Sequence, residues 1–121
     1  MPPPASAAIV PVFNRPRAVI EALDSVAAQT LPPAKLIVVD DGSTDDTAAR
    51  VEEWVAAKRP SFQATLVRQS NQGAAAARNR GVAEVAGVEL YAFLDSDDLW
   101  PADYLCRVSN AFAARIKPGV Q

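Results

Sequence analysis

Histidine is absent from the chain and cysteine occurs once, at Cys106. A lone cysteine excludes an internal disulfide and fits a reducing compartment. Without imidazole, a metal ion would rest on oxygen ligands, which points to Mg²⁺ or Mn²⁺. No apolar run approaches the ~18 residues that a bilayer crossing requires. The opening Met1-Pro2-Pro3-Pro4 lacks the charged and apolar regions of a signal peptide and reads as a short polyproline lead. Lys and Arg are scattered, and a net charge of −2 leaves nothing to attract a nucleic-acid backbone. These absences lead us to expect a cytoplasmic protein, peripheral to the membrane at most within a longer chain.

What is present is an ordinary soluble composition: 121 residues, 50% apolar and 21% charged. That length supports one domain with a real core. Its most informative stretch is Phe93-Leu94-Asp95-Ser96-Asp97-Asp98-Leu99-Trp100. Tyr91 to Leu94 reads as a short strand covered on both faces. If the extended conformation continues, Asp95 and Asp97 point to one face, where two carboxylates repel unless a cation or shared proton lies between them. The alternative use of Asp97 or Asp98 is to cap a helix opening at Pro101. Capping accounts for one of the three aspartates.

The rest of the chain alternates strand and helix. Residues 7–13 (AAIVPVF) form the first apolar run, and Pro11 within it argues for an edge position or a strand already ending. Asn14 is placed to cap a helix whose stripe is Val19, Ile20, Leu23, Val26 and Ala27. Lys35 to Val39 is the second strand, closed by Asp40-Asp41-Gly42-Ser43. The next helix is expected from Ser43 or Thr44, with Asp45 and Asp46 in its first turn and Ala48, Val51 and Val55 facing inward. Phe62 to Val67 is a third strand. Past Ser70-Asn71-Gln72-Gly73 comes a helix of small residues, Ala74 to Ala77, closed by Gly87. Leu105, Val108 and Phe112 suit a last helix. The expected fold is therefore α/β, a Rossmann-like, mostly parallel sheet with helices on both faces. Asn14, Asp40, Asp41, Asn71, Gly73, Asp95 and Asp97 all fall at carboxyl ends of strands, where such sheets bind ligands. Residues 1–6 are read as the lead, 7–115 as the domain and 116–121 as a tail.

IVPVFNR at 9–15, VVDDGSTDDT at 38–47, NQGAAAARNRG at 71–81 and FLDSDDLW at 93–100 resemble, in order and spacing, four successive motifs of family-2 glycosyltransferases of GT-A fold. The resemblance spans roughly residues 7–115 and corresponds to the N-terminal, nucleotide-sugar-binding half of such enzymes. It implies inverting, metal-dependent sugar transfer from a nucleotide-diphosphate sugar, commonly a UDP-sugar, to an unidentified glycan, lipid or protein acceptor. In the donor site that it implies, Phe13 packs near the base, Pro11 gives backbone contacts and Asn14 and Gly73 lie alongside. Asp41 accepts a hydrogen bond from the base, while Asp40 holds the turn or the ribose. Asp95, with Ser96, reaches the ribose or a metal-bound water, and Asp97 coordinates Mg²⁺ or Mn²⁺ on the diphosphate. Arg78 faces the diphosphate; its alternative is a solvated helix residue. Arg80 points away from it around the helix. Trp54 and Trp100 read as packing residues, with Trp100 near enough to the site to serve as a sugar platform.

The resemblance places no catalytic base on these residues. The base and acceptor half are expected beyond the C-terminus, with Asp103 the nearest unassigned acid. The surface left where that half would pack is expected to promote self-association. A nucleotide-sugar-binding module without turnover shares every donor-site residue. A haloacid-dehalogenase-type phosphohydrolase also uses D-x-D after a strand, but there the motif opens the fold and Thr or Val follows its second Asp, where this chain has Asp98. A sugar-nucleotidyltransferase would need a glycine-rich phosphate loop near the first strand, which is missing.

Overall fold

The computed structural model describes residues 3–115; the expected tail at 116–121 and the first two residues of the lead lie outside them. Eight elements alternate: β1 (Ser6–Val12), α1 (Ala18–Ala27), β2 (Lys35–Asp40), α2 (Thr47–Lys58), β3 (Gln63–Arg68), α3 (Ala74–Ala83), β4 (Leu90–Phe93) and α4 (Tyr104–Arg115). Ser6 already belongs to β1, so the strand reaches back into the expected lead. All strand pairs are parallel, in the order β3-β2-β1-β4. Among the described residues no helix is long and apolar enough to cross a membrane.

β1 is central, and every one of its residues is buried, which corrects the edge position that Pro11 suggested. The reason lies in which side of the strand lacks a donor. The Ile9 carbonyl accepts from the Leu94 N–H (3.0 Å) and the Val12 carbonyl from the Asp41 N–H (2.9 Å). Odd-numbered residues of β1 therefore turn their backbone polar groups toward β4. Pairing with β4 stops at Ile9↔Phe93, so Pro11 meets no ladder on that side. A proline costs nothing where no partner awaits its N–H.

The alternation of β1 divides the core. Ala8, Val10 and Val12 pack with Val19, Leu23 and Val26 of α1, Val51 and Trp54 of α2, and Leu105 of α4. Ala7 and Ile9 pack on the other face with Ile37, Val39 and Ala77. The sheet grows from β1 outward through β2 and β3, then reverses to β4. Right-handed crossovers then require α3 to lie on the face opposite α1 and α2. That reversal opens a crevice between the carboxyl ends of β1 and β4.

Several local expectations shift. Asn14 does not cap α1, whose N-cap is Arg17 without a side-chain bond. α2 starts at Thr47 rather than at Ser43 or Thr44, because Asp45 binds the Thr47 N–H (3.0 Å) and hydroxyl. The Thr47 hydroxyl thereby holds the Asp45 carboxyl below its ordinary range. α3 ends at Ala83, before Gly87. Phe93, expected to be covered on both faces, is 42% exposed because β4 is an edge of the described sheet. Neither Asp97 nor Asp98 caps α4. Its first turn is held by the Gln29 side chain, which accepts from the Leu105 N–H (2.9 Å).

α3 approaches the sheet closely through Ala77 and Gly81, one turn apart. A Cβ on Gly81 would stand 2.5 Å from Ile9 Cγ2, a stiff β-branched side chain that cannot swing aside. Gly81→Val should therefore cost about 2 kcal/mol of stability through overpacking. Urea unfolding tests this, and an unchanged midpoint would mean that α3 is free to shift outward.

Candidate functional site

The cleft at the sheet reversal has a volume of about 340 Å³ and is lined by residues from all four motifs. Pro11, Val12, Phe13 and Arg15 form the β1 side; Asp95, Ser96 and Asp97 form the β4 side. Asp41 closes one part of it, and Ala74, Ala77 and Arg78 of α3 line another. A second hollow of about 410 Å³ shares Arg78 and Asp95 and runs on to Leu99, Trp100 and Tyr104. Trp100 is buried and stacked on Tyr104, with ring centroids 4.8 Å apart. Trp54 is also a packing residue, its indole N–H bonded to Asp24 (2.8 Å).

Asp41 is the most completely held side chain of the cleft. Its Oδ1 accepts from Gln69 Nε2 (2.8 Å) and from the Gln72 N–H (2.8 Å), and its Oδ2 accepts from the Gly73 N–H (2.9 Å). Gly73 is the N-cap residue of α3 and adopts φ +98, a conformation that suits glycine. The carboxylate thus sits at the positive end of that helix. Burial pushes its pKa up, but the bonds from Gln69, Gln72 and Gly73 outweigh it and hold the group below its ordinary value of 3.8. The neighbouring Gly42, at φ +79, lets this turn lie against Asn71, whose backbone N a Cβ would meet at 2.8 Å.

Asp40 faces elsewhere. It is fully buried, binds the Ser43 N–H (3.3 Å) and pairs with Arg68 (3.1 Å). Of the two roles expected for it, holding the turn is the one this geometry supplies. Asn14, at φ +50, braces the first loop against the second: its N–H donates to Ser43 Oγ (2.9 Å) and its Oδ1 accepts from the Thr44 N–H (2.8 Å). Neither Asp40, Asn14 nor Gly73 lines the cleft; each shapes a residue or loop that does.

The extended run does not continue through the acidic stretch. The Asp98 N–H bonds the Asp95 carbonyl (2.9 Å), closing a turn that still leaves Asp95 and Asp97 on the same cleft. Arg78 Nη2 donates to Asp95 Oδ1 (2.8 Å), so the expected cation and one expected carboxylate pair with each other. Arg80 points away and pairs with Glu84. Among the described residues no group of three or more His, Cys, Asp or Glu is arranged to hold a metal ion. Two cleft carboxylates do suit a hard cation that completes its shell from phosphate oxygens and water. Arg15 and Gln69 carry no expected role, though both lie just past strand ends, the rule that found their neighbours.

A family model described as glycosyl transferase family 2 matches residues 7–116. The chain belongs to that family. An uncharacterized glycosyltransferase of Nostoc sp. is 38% identical over 116 residues, covering 93% of this chain and 34% of that protein. The mannosyltransferase PcManGT of Pyrobaculum calidifontis, solved with GDP-Man and Mn²⁺, superposes with a TM-score of 0.79 at 32% identity, over 96% of this chain and 33% of its own. Residues 1–349 of TarS from S. aureus, solved with UDP-GlcNAc, give 0.76 at 30% identity, over 92% of this chain and 31% of its own. The family-2 chain thus has the expected GT-A architecture and spans about a third or less of the length of the relatives it matches. The haloacid-dehalogenase reading falls with this, the D-x-D here following β4 rather than β1.

The hold on Asp41 makes a stability prediction. Because its folded pKa is depressed, the stabilisation is present above the unfolded value and is lost as pH falls through the folded one. Asp41→Asn should cost about 1–2 kcal/mol at neutral pH, and the gap to the parent should narrow below pH 3.8. Denaturant titrations at stepped pH check it; a gap constant down to pH 2 would contradict it.

Proposed function

We propose that this chain is the donor-binding part of an inverting, metal-dependent glycosyltransferase that uses a UDP-sugar. The observation that carries the reading is one cleft with a fixed carboxylate, Asp41, in one part and Asp95, Asp97 and Arg78 in another. That layout suits a ligand with a ring N–H at one end and a diphosphate at the other. Asp41 accepts the ring N–H through a charge-assisted hydrogen bond, and Phe13, 44% exposed, gives the base an apolar surface. Arg78 binds the diphosphate, Asp97 and Asp95 would hold Mn²⁺ or Mg²⁺, and Ser96 lies beside them. The ion, when bound, neutralises charge on the departing diphosphate. The acceptor hydroxyl attacks the anomeric carbon opposite that group; the new C–O bond forms as the sugar–phosphate bond breaks, and a base takes the hydroxyl proton. No described residue is assigned as that base. Family membership and the nucleotide sugars bound in PcManGT and TarS support the reading.

Calorimetry with UDP and uridine separates the two parts of the cleft. In Mn²⁺, Asp97→Asn should weaken UDP about tenfold and leave uridine unchanged, as should chelation of the metal. Asp41→Asn should weaken both ligands about tenfold, the worth of one hydrogen bond to a charged group. Equal losses for UDP and uridine in both variants would overturn this assignment.

A further inference from the structure

The GT-A neighbours hold nucleotides with different bases, GDP-Man in PcManGT and UDP-GlcNAc in TarS. The fold therefore does not choose the base; side chains around the cleft must. Resting on the donor-site reading above, we infer that Gln69 determines base specificity by limiting how many hydrogen bonds Asp41 can still accept.

An ionised carboxylate offers about four acceptor sites, two on each oxygen. On Asp41, Oδ1 already receives Gln69 Nε2 and the Gln72 N–H, while Oδ2 receives only the Gly73 N–H. One site is left, on Oδ2. Uracil presents a single ring donor, N3–H, flanked by two carbonyl oxygens, and one vacant site satisfies it. Guanine presents N1–H and the 2-amino group side by side, a pair that calls for a free site on each oxygen. With Oδ1 filled, one guanine donor would be buried unpaired, and such a loss discriminates strongly. Of the three donors only Gln69 is a side chain; the Gln72 and Gly73 amides are backbone, so they remain under any substitution there. Gln69 does not itself line the cleft. It is a positioning residue that acts through Asp41.

The test is the ratio of UDP to GDP affinity, measured by calorimetry in the parent and in Gln69→Ala. Alanine removes both the donor and the atoms that carry it against Oδ1, freeing one site there. The parent should prefer UDP by about tenfold or more, and the variant should narrow that preference at least threefold, chiefly by gaining GDP. The ratio does not depend on the folded fraction, so partial loss of stability leaves it readable, whereas a merely structural role would weaken both nucleotides equally. A preference unchanged by Gln69→Ala, or no preference in the parent, overturns the role of Gln69 and leaves the donor site standing. Failure of the parent to bind either nucleotide overturns both.

Discussion

Taking a carboxylate out of water is costly unless hydrogen bonds replace what water supplied. Asp41 is buried, and its replacements come from three separate places: a side chain just past β3, a loop amide, and the amide that opens α3. The bond network therefore fixes the end of β2 relative to both β3 and α3. Remove the charge and the amides of Gln72 and Gly73 lose their partner, at the helix end where donors are already in surplus. The loop after β3 returns the favour, since the Asn71 side chain donates to the Asp41 carbonyl (3.1 Å). One anion thus organises the rim from which the cleft is built.

The cleft itself follows from chain direction. β1 is flanked by β2 and β4, and the chain reaches β4 only by crossing the face that α1 and α2 leave open. α3 makes that crossing, and its closeness to β1 is set by Ala77 and Gly81 against Ile9. Larger residues there would lift Arg78 away from Asp95. The small residues of the third motif serve distance more than flexibility, and the arginine between them depends on that distance.

Much of this was legible in the sequence because it rests on local rules. The strand-end rule gave Asp41, Asp95 and Asp97, the family resemblance added Pro11, Phe13, Arg78 and Ser96, and all seven do meet on one cleft. The misreadings arose where a side chain had a choice of partner. Asn14 can cap a helix or brace a neighbouring loop, and only the folded position of Thr44, thirty residues on, decides for the second. Pro11 suggests an edge because proline lacks one donor, yet the missing donor matters on one side of a strand only. Asp40 and Asp41 are adjacent and chemically alike, and the pleat sends the first to Arg68 and the second to the cleft. Gln69 was invisible for a different reason: its importance lies in a lone pair that it occupies.

The pairing of Arg78 with Asp95 has a further consequence for the donor-site reading. Both side chains are partly exposed, at 37% and 52%. Surface pairs of this kind contribute about 0–1 kcal/mol. Separating them costs little, whereas a bidentate guanidinium–phosphate contact is stronger and directional. A diphosphate entering the cleft therefore exchanges a weak partner of Arg78 for a better one and leaves Asp95 with unsatisfied oxygens beside Asp97. Two carboxylates so placed repel, and a divalent cation relieves the repulsion. On this reading the weakness of the pair is what lets the two ends of the charge network be reassigned when the ligand arrives. A buried, strong pair at the same positions would stabilise the free protein and oppose the ligand.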